Sequence, residues 1–362
     1  MCDKFDKIFK DILIENTEEN NIWMDKLSNT EKKIILFGAG TVGYQIAGIL
    51  YSKNIKPTCF CDNFKSGIDE TYGLPIISFD VLKKNYNNDY IIISLGMENA
   101  IEVVKELIDA GFQSKNLITR MWFDEKVSKE YVKDHYSEYK WLYDNVYDEL
   151  SREILVEKIR NSLYYFEMQT RQYNDQYFDK DIVEFADNEV FIDGGAYNGD
   201  TIIEFINRTS NEYSAIYSFE PDEKNYYTLV ERCKDFKNIK FINKGLWNCE
   251  STLKFTGSKK SISSIEEGGN ISIQVTTVDE VLLNDGICPT FIKFDIEGSE
   301  YKALLGTKQV IQKCKPKLAI CIYHKPEDLY KLPKLIKELN PSYKLYLRHY
   351  SNDNSETVCY AI

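Results

Sequence analysis

The stretch VFIDGGAYNGDT, residues 190–201, decides the fold of the C-terminal half of this 362-residue chain. An apolar strand ends in the carboxylate of Asp193, a glycine-rich turn follows, and a helix begins near Thr201. Strand, glycine turn and helix in this order are typical of a βαβ unit, in which a parallel sheet is covered by helices on both faces. The pattern therefore predicts an α/β domain.

Strand and helix signals continue beyond this stretch. The segments IYSFEP, IKFINKG, TFIKFD and KLAICIY are apolar runs of strand length separated by helical patterns. STLKF and ISIQVTTV look like an inserted β pair, and YKLYLRHY and TVCYAI like antiparallel edge strands. We therefore predict one Rossmann-like domain over residues 186–362.

A second glycine loop lies near the N-terminus. Gly38, Gly40 and Gly43 form a GxGxxG pattern between a strand signal and a helix signal, and Asp62 ends the next strand. Such glycines let backbone N–H groups approach a phosphate, and the acidic residue suits a ribose. They are equally expected where a helix only packs closely on a strand, so an occupied and an empty nucleotide site both stay open. Residues 32–120 are predicted to form a Rossmann-like, nucleotide-binding-type domain.

The remaining segments are helical. Residues 1–31 are predicted to form an N-terminal helix and linker, and residues 121–185 a helical connector rich in Tyr, Glu and Lys. The predicted fold class is therefore α/β, with two Rossmann-like parallel-sheet domains joined by a helical segment.

Composition excludes several classes of function. The chain has 57 acidic and 45 basic residues and a net charge of −12, which disfavours binding to nucleic acid or to an anionic membrane. Its nine cysteines are scattered without a CxxC pair, and with three histidines they predict reduced thiols and no structural zinc. A charged N-terminus and the lack of a long apolar run predict a cytoplasmic protein without a transmembrane segment. The sequence leaves the oligomeric state open.

Carboxylates end two consecutive strands of the C-terminal domain, at Asp193 and Glu220. This is the pattern of S-adenosylmethionine (SAM) sites, in which the first carboxylate holds the ammonium side of the methionine portion and the second accepts the ribose hydroxyls. Pro221 stops the second strand, and the end of the third is a suitable place for the adenine. The predicted SAM-binding residues are Asp193, Gly194, Gly195, Tyr197, Gly199, Thr201, Glu220, Pro221, Gly245 and Leu246.

The segments VFIDGGAYNGDT, SFEPDEKN and FIKFDIEGSE resemble the FkbM family of SAM-dependent methyltransferases. The resemblance covers roughly residues 170–362 and implies methylation of a hydroxyl on a glycan or polyketide-like acceptor. It also implies that Asp193, Gly195, Glu220 and the run Asp295–Glu300 form the active face. Tyr197 departs from the general SAM loop, in which glycine is common there. Residues 32–120 resemble, more loosely, small nucleotide-binding-like domains of bacterial polysaccharide-modifying enzymes.

Methyl transfer to a hydroxyl requires alignment of the acceptor and removal of its proton. Asp295 ends the fourth strand and His324 the fifth, at the edge where ligands of open α/β sheets bind. Asp295 is predicted to be the general base or a ligand of a divalent cation, His324 an alternative base, and Glu297 a further catalytic candidate. Asp295, Glu297 and His324 are also the candidate metal ligands.

Structural alternatives accompany these predictions. Asp295 would also serve as a helix N-cap, His324 as an ordinary loop histidine, and Glu297 and Glu300 as helix-start charges. Lys293 lies on a central strand and needs a partner, for which Asp295 or Glu297 is predicted. The loop Ser261–Ser264 either contacts substrate or is an ordinary flexible loop.

The sequence thus favours SAM-dependent O-methylation of a sugar hydroxyl in a bacterial glycan or nucleotide-linked sugar. One alternative is an NAD(P)-dependent enzyme that modifies sugar nucleotides through Gly38, Gly40, Gly43 and Asp62. Another is a non-catalytic protein that binds nucleotide sugars. The predicted partner is a small-molecule or glycan acceptor.

Overall fold

The computed structural model describes most of the chain as two compact units. The N-terminal unit comprises residues 9–128 and 160–167, and the C-terminal unit comprises residues 1–8, 129–159 and 168–362. The described residues are 4–14, 26–95, 97–119, 127–163, 170, 172, 175–255, 271–351 and 354–362. Helix α1 (Lys4–Ile14) supplies residues to both units.

The N-terminal unit is built on a six-stranded sheet in the order β3-β4-β2-β1-β5-β6. Every pair in this sheet is parallel except β3 with β4. Its strands are β1 (Ile34–Phe37), β2 (Cys59–Cys61), β3 (Gly67–Ile68), β4 (Pro75–Ile77), β5 (Tyr90–Ile93) and β6 (Leu117–Thr119). Its helices are α2 (Thr41–Ser52), α3 (Phe79–Asn85) and α4 (Met97–Asp109), with a short 3₁₀ turn at Ser114–Asn116.

The central strands of this sheet are apolar on both faces. Ile34 and Leu36 pack in one hydrophobic cluster, and Ile35 and Phe37 in another. Because side chains alternate along a strand, these two clusters lie on opposite faces of the sheet. An uninterrupted apolar run is therefore the correct sequence signal for β1.

The C-terminal unit contains a seven-stranded sheet in the order β15-β16-β14-β13-β7-β8-β9 and a three-stranded sheet in the order β10-β12-β11. The strands are β7 (Glu189–Gly194), β8 (Tyr213–Phe219), β9 (Ile239–Ile242), β10 (Gly245–Leu246), β11 (Ser251–Phe255), β12 (Ile271–Thr276), β13 (Phe291–Phe294), β14 (Lys317–Cys321), β15 (Leu345–His349) and β16 (Thr357–Ala361). The helices are α5 (Lys129–Asp134), α6 (Tyr136–Asn145), α7 (Glu149–Leu163), α8 (Asp200–Arg208), α9 (Glu223–Cys233), α10 (Val278–Asn284), α11 (Glu300–Leu305), α12 (Lys308–Cys314) and α13 (Asp328–Leu339). The last residues of α7, 160–163, belong to the N-terminal unit.

The order of the large sheet places a topological switch point, the expected position of a ligand crevice, between β7 and β13. The chain proceeds outward from β7 through β8 to β9, then returns to the other side of β7 as β13 and proceeds to β14. Such a reversal separates the connections at the carboxyl ends of the two central strands, which is where open α/β sheets bind ligands. The parallel register sets Lys293 of β13 beside Asp193 of β7 at this edge.

Local sequence explains how the elements around the crevice form. Stacked phenylalanine rings connect β7, β13 and the helix after β7. The ring centroids of Phe191 and Phe205 are 4.5 Å apart, and those of Phe191 and Phe291 are 5.4 Å apart. Helix α10 begins with the capping sequence Thr277-x-x-Glu280, in which the Thr277 hydroxyl accepts the Glu280 N–H at 2.9 Å.

The predicted α/β class with parallel-containing sheets in two regions is confirmed. The inserted β pair is present as β11 and β12, which pair antiparallel. The predicted antiparallel pair at the edge of the sheet is present as β15 and β16. Only β15 is an edge strand, because β16 inserts antiparallel between β14 and β15. Strands β3 and β6 and helix α3 were not predicted, since each is too short for a clear periodicity. The domain boundaries at residues 31, 120 and 185 stay predictions.

Two further observations concern the whole chain. Cys288 and Cys314 form a disulfide, with their Cα atoms 5.5 Å apart, so the prediction of uniformly reduced thiols is wrong for this pair. The spacing of 26 residues gave no sign of it, because only the fold brings the two together. In the described part of the chain, no helix combines the length and apolar character needed to span a bilayer.

Candidate active site

The glycine turn after β7 lies directly against the ends of its neighbouring strands. Both Gly195 and Ala196 donate backbone N–H groups to the Phe219 carbonyl, at 3.0 and 3.1 Å. Gly195 has a φ of +79°, and a Cβ there would lie 1.9 Å from the backbone oxygen of Asp295. Only glycine therefore permits this close approach of β7 and β13.

Asp193 and Lys293 form a buried ion pair at the switch point. Lys293 Nζ lies 3.0 Å from Asp193 Oδ1 and also donates to the Gly195 carbonyl at 2.8 Å. Burial alone would lower the pKa of Lys293, but the charges of Asp193 and Asp295 raise it above its ordinary value. The predicted pairing of Lys293 with Asp295 or Glu297 is wrong, because alternation along a strand fixes the face of a side chain but not its neighbour on the next strand.

The second carboxylate oxygen of Asp193 has no hydrogen-bond partner although the residue is fully buried. A buried acceptor without a donor is costly, so this oxygen fits a ligand that brings an N–H donor. The ammonium group of SAM is such a donor. The residues present are therefore compatible with the predicted role of Asp193.

Glu220 lies immediately beyond β8 and holds the same turn from the other side. Its Oε2 accepts the Tyr197 N–H and its Oε1 the Asp222 N–H, both at 2.9 Å. Burial raises its pKa. Each carboxylate oxygen has a second acceptor position, so the predicted contact with ribose hydroxyls is compatible with these bonds.

The other predicted SAM-binding residues gather around the same turn. Gly199 caps helix α8 with a φ of +84°, and Thr201 lies in the first turn of that helix. Tyr197 has a φ of +48° and leaves 55% of its surface exposed. A Cβ on Gly194 would lie 2.8 Å from Leu246, and one on Gly245 would lie 3.7 Å from Pro221. The structure thus brings the ends of β7, β8 and β10 together.

Asp295 follows β13 and is held by two tyrosines. The Tyr177 hydroxyl donates to Asp295 Oδ2 at 2.7 Å, and the Tyr323 hydroxyl donates to Oδ1 at 3.3 Å. The alternative role as a helix N-cap is wrong, because the N-cap of α11 is Ser299 and the nearby Ile296 N–H donates to Glu300.

His324 lies in the loop after β14, between three carboxylates. Its Nε2 is 3.4 Å from Asp295 Oδ1 and 3.8 Å from Glu297 Oε2, and its Nδ1 is 3.2 Å from Glu300 Oε1. One ligand atom each from Asp295, Glu300 and His324 lie within 4.8 Å of one another. The structure therefore brings together the predicted catalytic and metal-binding candidates and adds Glu300 to them.

The opposite charges in this cluster shift the pKa values of His324 and Asp295 in opposite directions. Burial acts to lower the pKa of His324, but the carboxylates of Asp295 and Glu300 beside the ring raise it to about 10. Burial acts to raise the pKa of Asp295, but His324 and Lys293 hold it well below its ordinary value. In the free protein at neutral pH the imidazole therefore carries a proton and the Asp295 carboxylate is weakly basic. His324 must lose that proton before it accepts another.

Sequence reasoning missed three residues of this site. Tyr177 lies in an irregular segment with no periodic signal, and Glu356 accepts the Tyr323 hydroxyl at 3.3 Å from a turn late in the chain. Tyr323 directly precedes His324, and this adjacency was the sequence signal that could have identified it. The loop Ser261–Ser264 lies outside the described residues.

The N-terminal glycine loop has a different environment. Asp62 Oδ2 accepts the Ala39 N–H at 2.9 Å, and its Oδ1 accepts the N–H groups of Phe64 and Lys65 at 2.8 and 3.0 Å. The Lys65 ammonium donates to the Ala39 carbonyl at 2.5 Å. The loop backbone and the predicted ribose-binding carboxylate are thus bonded to each other.

The three glycines of this loop differ in the space around them. A Cβ on Gly43 would lie 2.1 Å from the Gly38 carbonyl oxygen, and one on Gly38 would lie 2.7 Å from the Ser94 carbonyl oxygen. Gly40 has nothing within 4 Å of its Cβ position. A cavity of about 370 Å³ in this unit lies elsewhere, beside Lys32, Lys53 and Lys56.

Comparison with protein families gives one match. Residues 193–345 match the model described as Methyltransferase FkbM domain. The matched segment includes Asp193, Glu220, Asp295 and His324. The search of curated proteins gave no match.

Comparison with solved structures gives a match over nearly the whole chain. The crystal structure of Methyltransferase FkbM from Methylobacillus flagellatus KT is 21% identical, with a TM-score of 0.73, and the match covers 98% of this chain and 97% of that one. This similarity establishes a shared fold. An rRNA methylase from Streptococcus thermophilus matches 48% of this chain and 86% of its own, at 15% identity and a TM-score of 0.32. A putative methyltransferase from Streptococcus mutans in complex with SAH matches 49% of this chain and 90% of its own, at 14% identity and a TM-score of 0.31.

Proposed function

We propose, from the premise that residues 193–345 form a methyltransferase FkbM domain, that this protein is a SAM-dependent O-methyltransferase. The proposed acceptor is a sugar hydroxyl in a bacterial glycan or a nucleotide-linked sugar. The family match supports methyl transfer, and the resemblance of the motifs to the FkbM family supports a hydroxyl acceptor.

The observation that carries the proposal is the unpartnered oxygen of Asp193. It is fully buried at the carboxyl end of β7, beside the ion pair with Lys293, and lies where the sheet order creates a ligand crevice. A purely structural ion pair at this place would leave that oxygen without a donor. A bound ammonium group satisfies it.

Each residue around the crevice has a separate proposed role. Asp193 binds the ammonium end of the cofactor, and Glu220 accepts the ribose hydroxyls while it holds the turn through the Tyr197 N–H. Gly245 and Leu246 supply the surface against which the adenine lies. When bound, SAM supplies a methyl group on a sulfonium, which a hydroxyl oxygen attacks in line.

Asp295 is proposed to orient the acceptor. Its carboxylate is fixed by the Tyr177 and Tyr323 hydroxyls at the mouth of the crevice, and 23% of its side chain is exposed. A carboxylate held in this way accepts a hydrogen bond from an acceptor hydroxyl without reorganising. The proton of that hydroxyl passes to solvent water.

The binding step is tested by calorimetric titration with SAM and S-adenosylhomocysteine. We expect both to bind the wild type, and we expect Glu220→Gln to weaken binding at least tenfold because an uncharged amide is a poorer acceptor for ribose hydroxyls. Asp62→Asn is the matched control, since it changes the equivalent carboxylate of the N-terminal glycine loop, and it should alter the affinity less than twofold. Absence of binding to the wild type, or equal losses in both variants, contradicts the proposal.

The transfer step is tested by incubating the protein with SAM and glycan or nucleotide-sugar acceptors. Mass spectrometry should show a product heavier by one methylene unit and one equivalent of S-adenosylhomocysteine. Asp295→Asn should reduce this turnover by about 100-fold, within the range for a positioned polar group, and leave the SAM affinity nearly unchanged. An equal loss of SAM affinity would place Asp295 in the cofactor site instead.

A further inference from the structure

The cluster around His324 has the geometry of a cation site. Nε2 of the imidazole faces the carboxylates of Asp295 and Glu297, and Nδ1 faces that of Glu300 on the other side of the ring. The His324 side chain is only 9% exposed, yet neither ring nitrogen has a hydrogen bond of good geometry. A buried imidazole whose Nε2 has no hydrogen bond of good geometry indicates a missing partner at that nitrogen.

We propose that Asp295, Glu297 and His324 bind a divalent cation of the Mg²⁺ or Mn²⁺ class, with Glu300 as the residue that positions His324. The binding itself is independent of the proposed function. Only the role of the cation in methyl transfer rests on that function.

The separations measured from His324 Nε2 are close to those between neighbouring ligands of one cation. Neighbouring ligands around an octahedral cation at about 2.1 Å lie about 3.0 Å apart. The distances from Nε2 to Asp295 Oδ1 and Glu297 Oε2 are 3.4 and 3.8 Å, somewhat longer than this ideal separation.

Glu300 occupies the place of a positioning carboxylate. An imidazole binds a metal through one nitrogen and usually donates its other N–H to a carboxylate or carbonyl, which fixes the ring. Glu300 Oε1 lies 3.2 Å from Nδ1, is fully buried, and is itself held by the Ile296 N–H at 2.8 Å. In the same way, the Tyr177 and Tyr323 hydroxyls hold Asp295.

The charges around the cluster leave it short of positive charge. Three carboxylates, those of Asp295, Glu297 and Glu300, face one imidazole. The nearby lysines are directed elsewhere: Lys293 Nζ contacts Asp193 and the Gly195 carbonyl, and Lys325 Nζ donates to the Gly298 carbonyl. A divalent cation that replaces the proton of the His324 imidazole offsets part of this excess.

The ligand set selects the kind of cation. Two carboxylate oxygens and one imidazole nitrogen suit Mg²⁺ and Mn²⁺ better than soft metals, which prefer thiolates. Glu297 is 60% exposed in its side chain, so the outer coordination positions face solvent and are filled by water. Those positions are where an acceptor hydroxyl would bind.

Under the proposed function the cation acidifies that hydroxyl. The proton passes to solvent water, the O–C bond forms as the S–C bond of SAM breaks, and the products are the methyl ether and S-adenosylhomocysteine. The cation is not consumed. No other co-reactant is required.

The test uses MnCl₂ as the probe and the full-length protein without SAM. Electron paramagnetic resonance of free Mn²⁺ and calorimetry should show one site in the wild type. Asp295→Asn and His324→Gln should each weaken binding at least 30-fold. Glu300→Gln should weaken it about 10- to 100-fold, as is usual for a carboxylate that orients a ligating histidine.

Glu356→Gln is the matched control, because Glu356 is a neighbouring carboxylate that contacts Tyr323 and contributes no ligand. It should weaken Mn²⁺ binding less than threefold. Glu297→Gln changes an exposed side chain and is expected to fold like the wild type, so a loss of about tenfold there supports the site even if a buried variant misfolds.

Two results overturn the proposal. One is no Mn²⁺ binding to the wild type at 1 mM, an affinity of about −4 kcal/mol or weaker. The other is an equal loss in Glu356→Gln and Asp295→Asn, which would mean that bulk negative charge attracts the ion. SAM binding without Mn²⁺ binding would contradict the cation site and leave the proposed function standing. Mn²⁺ binding without SAM binding would support the cation site and contradict the proposed function.

Discussion

The two glycine loops of this chain share a sequence pattern and differ in their surroundings. Each follows the central strand of a mostly parallel sheet, and each is met by a carboxylate at the end of the next strand, Asp62 or Glu220. In the N-terminal unit the neighbouring strand β5 ends in Ser94, whose hydroxyl donates to the loop carbonyls of Phe37 and Gly38. In the C-terminal unit the neighbouring strand β13 ends in Lys293 and Asp295.

This difference distinguishes features that backbone packing explains from features that indicate a chemical function. Both carboxylates accept loop N–H groups, so glycine loop and carboxylate together are explained by backbone hydrogen bonding alone. The unpartnered Asp193 oxygen and the cluster around His324 occur only beside the second loop in the described residues, and packing does not explain them. The side chains on the strand across the switch point, β13, are therefore more informative about function than the glycine motif.

The largest effect is expected from breaking the buried ion pair. Asp193→Asn leaves the Lys293 ammonium buried without its ion-pair partner, and we expect a loss of about 3–5 kcal/mol in the free energy of unfolding. Chemical denaturation under non-reducing conditions measures it. The double variant Asp193→Asn with Lys293→Met should recover much of that loss, and no recovery would mean that the pair does not act as a unit.

A pH dependence is expected from Asp328 at the start of α13. Burial and the charge of Glu300 raise its pKa to about 7, so the folded protein binds a proton that the unfolded chain releases near pH 4. The sign follows: this group stabilises the fold less as pH rises from about 4 to 7, by roughly 2–4 kcal/mol. Denaturation at pH 5 and pH 8 should show that Asp328→Asn gains stability relative to the wild type, and that the gain is larger at pH 8. An equal difference at both values would exclude the shift.

A smaller effect compares the glycines of the two loops directly. A Cβ at Gly43 or Gly195 would lie about as close to a backbone oxygen, at 2.1 and 1.9 Å, so each alanine variant should cost about 1–3 kcal/mol. Gly40→Ala meets nothing within 4 Å and should cost less than about 0.5 kcal/mol. Thermal and chemical unfolding measure all three. A cost at Gly40 equal to that at Gly43 would contradict the packing explanation.

The sequence predicted most of the fold because its signals are local. Strands β1, β7 and β13 appear as apolar runs, and helix α8 is marked by the spacing of Ile202, Phe205 and Ile206, which are all buried. The short elements β3 and β6 escaped detection because two or three residues show no periodicity. The insertion of β16 was also unpredictable, since strand order depends on pairing between distant segments.

The candidate site was predicted in its residues more than in its contacts. Asp193, Glu220, Asp295 and His324 were identified because each follows a strand at the same edge of the sheet. The positioning contacts were not, because Tyr177 lies 118 residues before Asp295 in the chain. The cysteine pair Cys288 and Cys314 was missed for the same reason.

By itself, the sequence determined which residues end the strands of this protein, because hydrophobic periodicity and glycine turns act over a few neighbouring positions. Only the tertiary structure decided which of those residues meet. Register placed Lys293 beside Asp193 rather than Asp295, and folding of remote loops surrounded His324 with carboxylates. The physical reason is that charge and hydrogen bonding act through distance in space, which one strand alone does not specify.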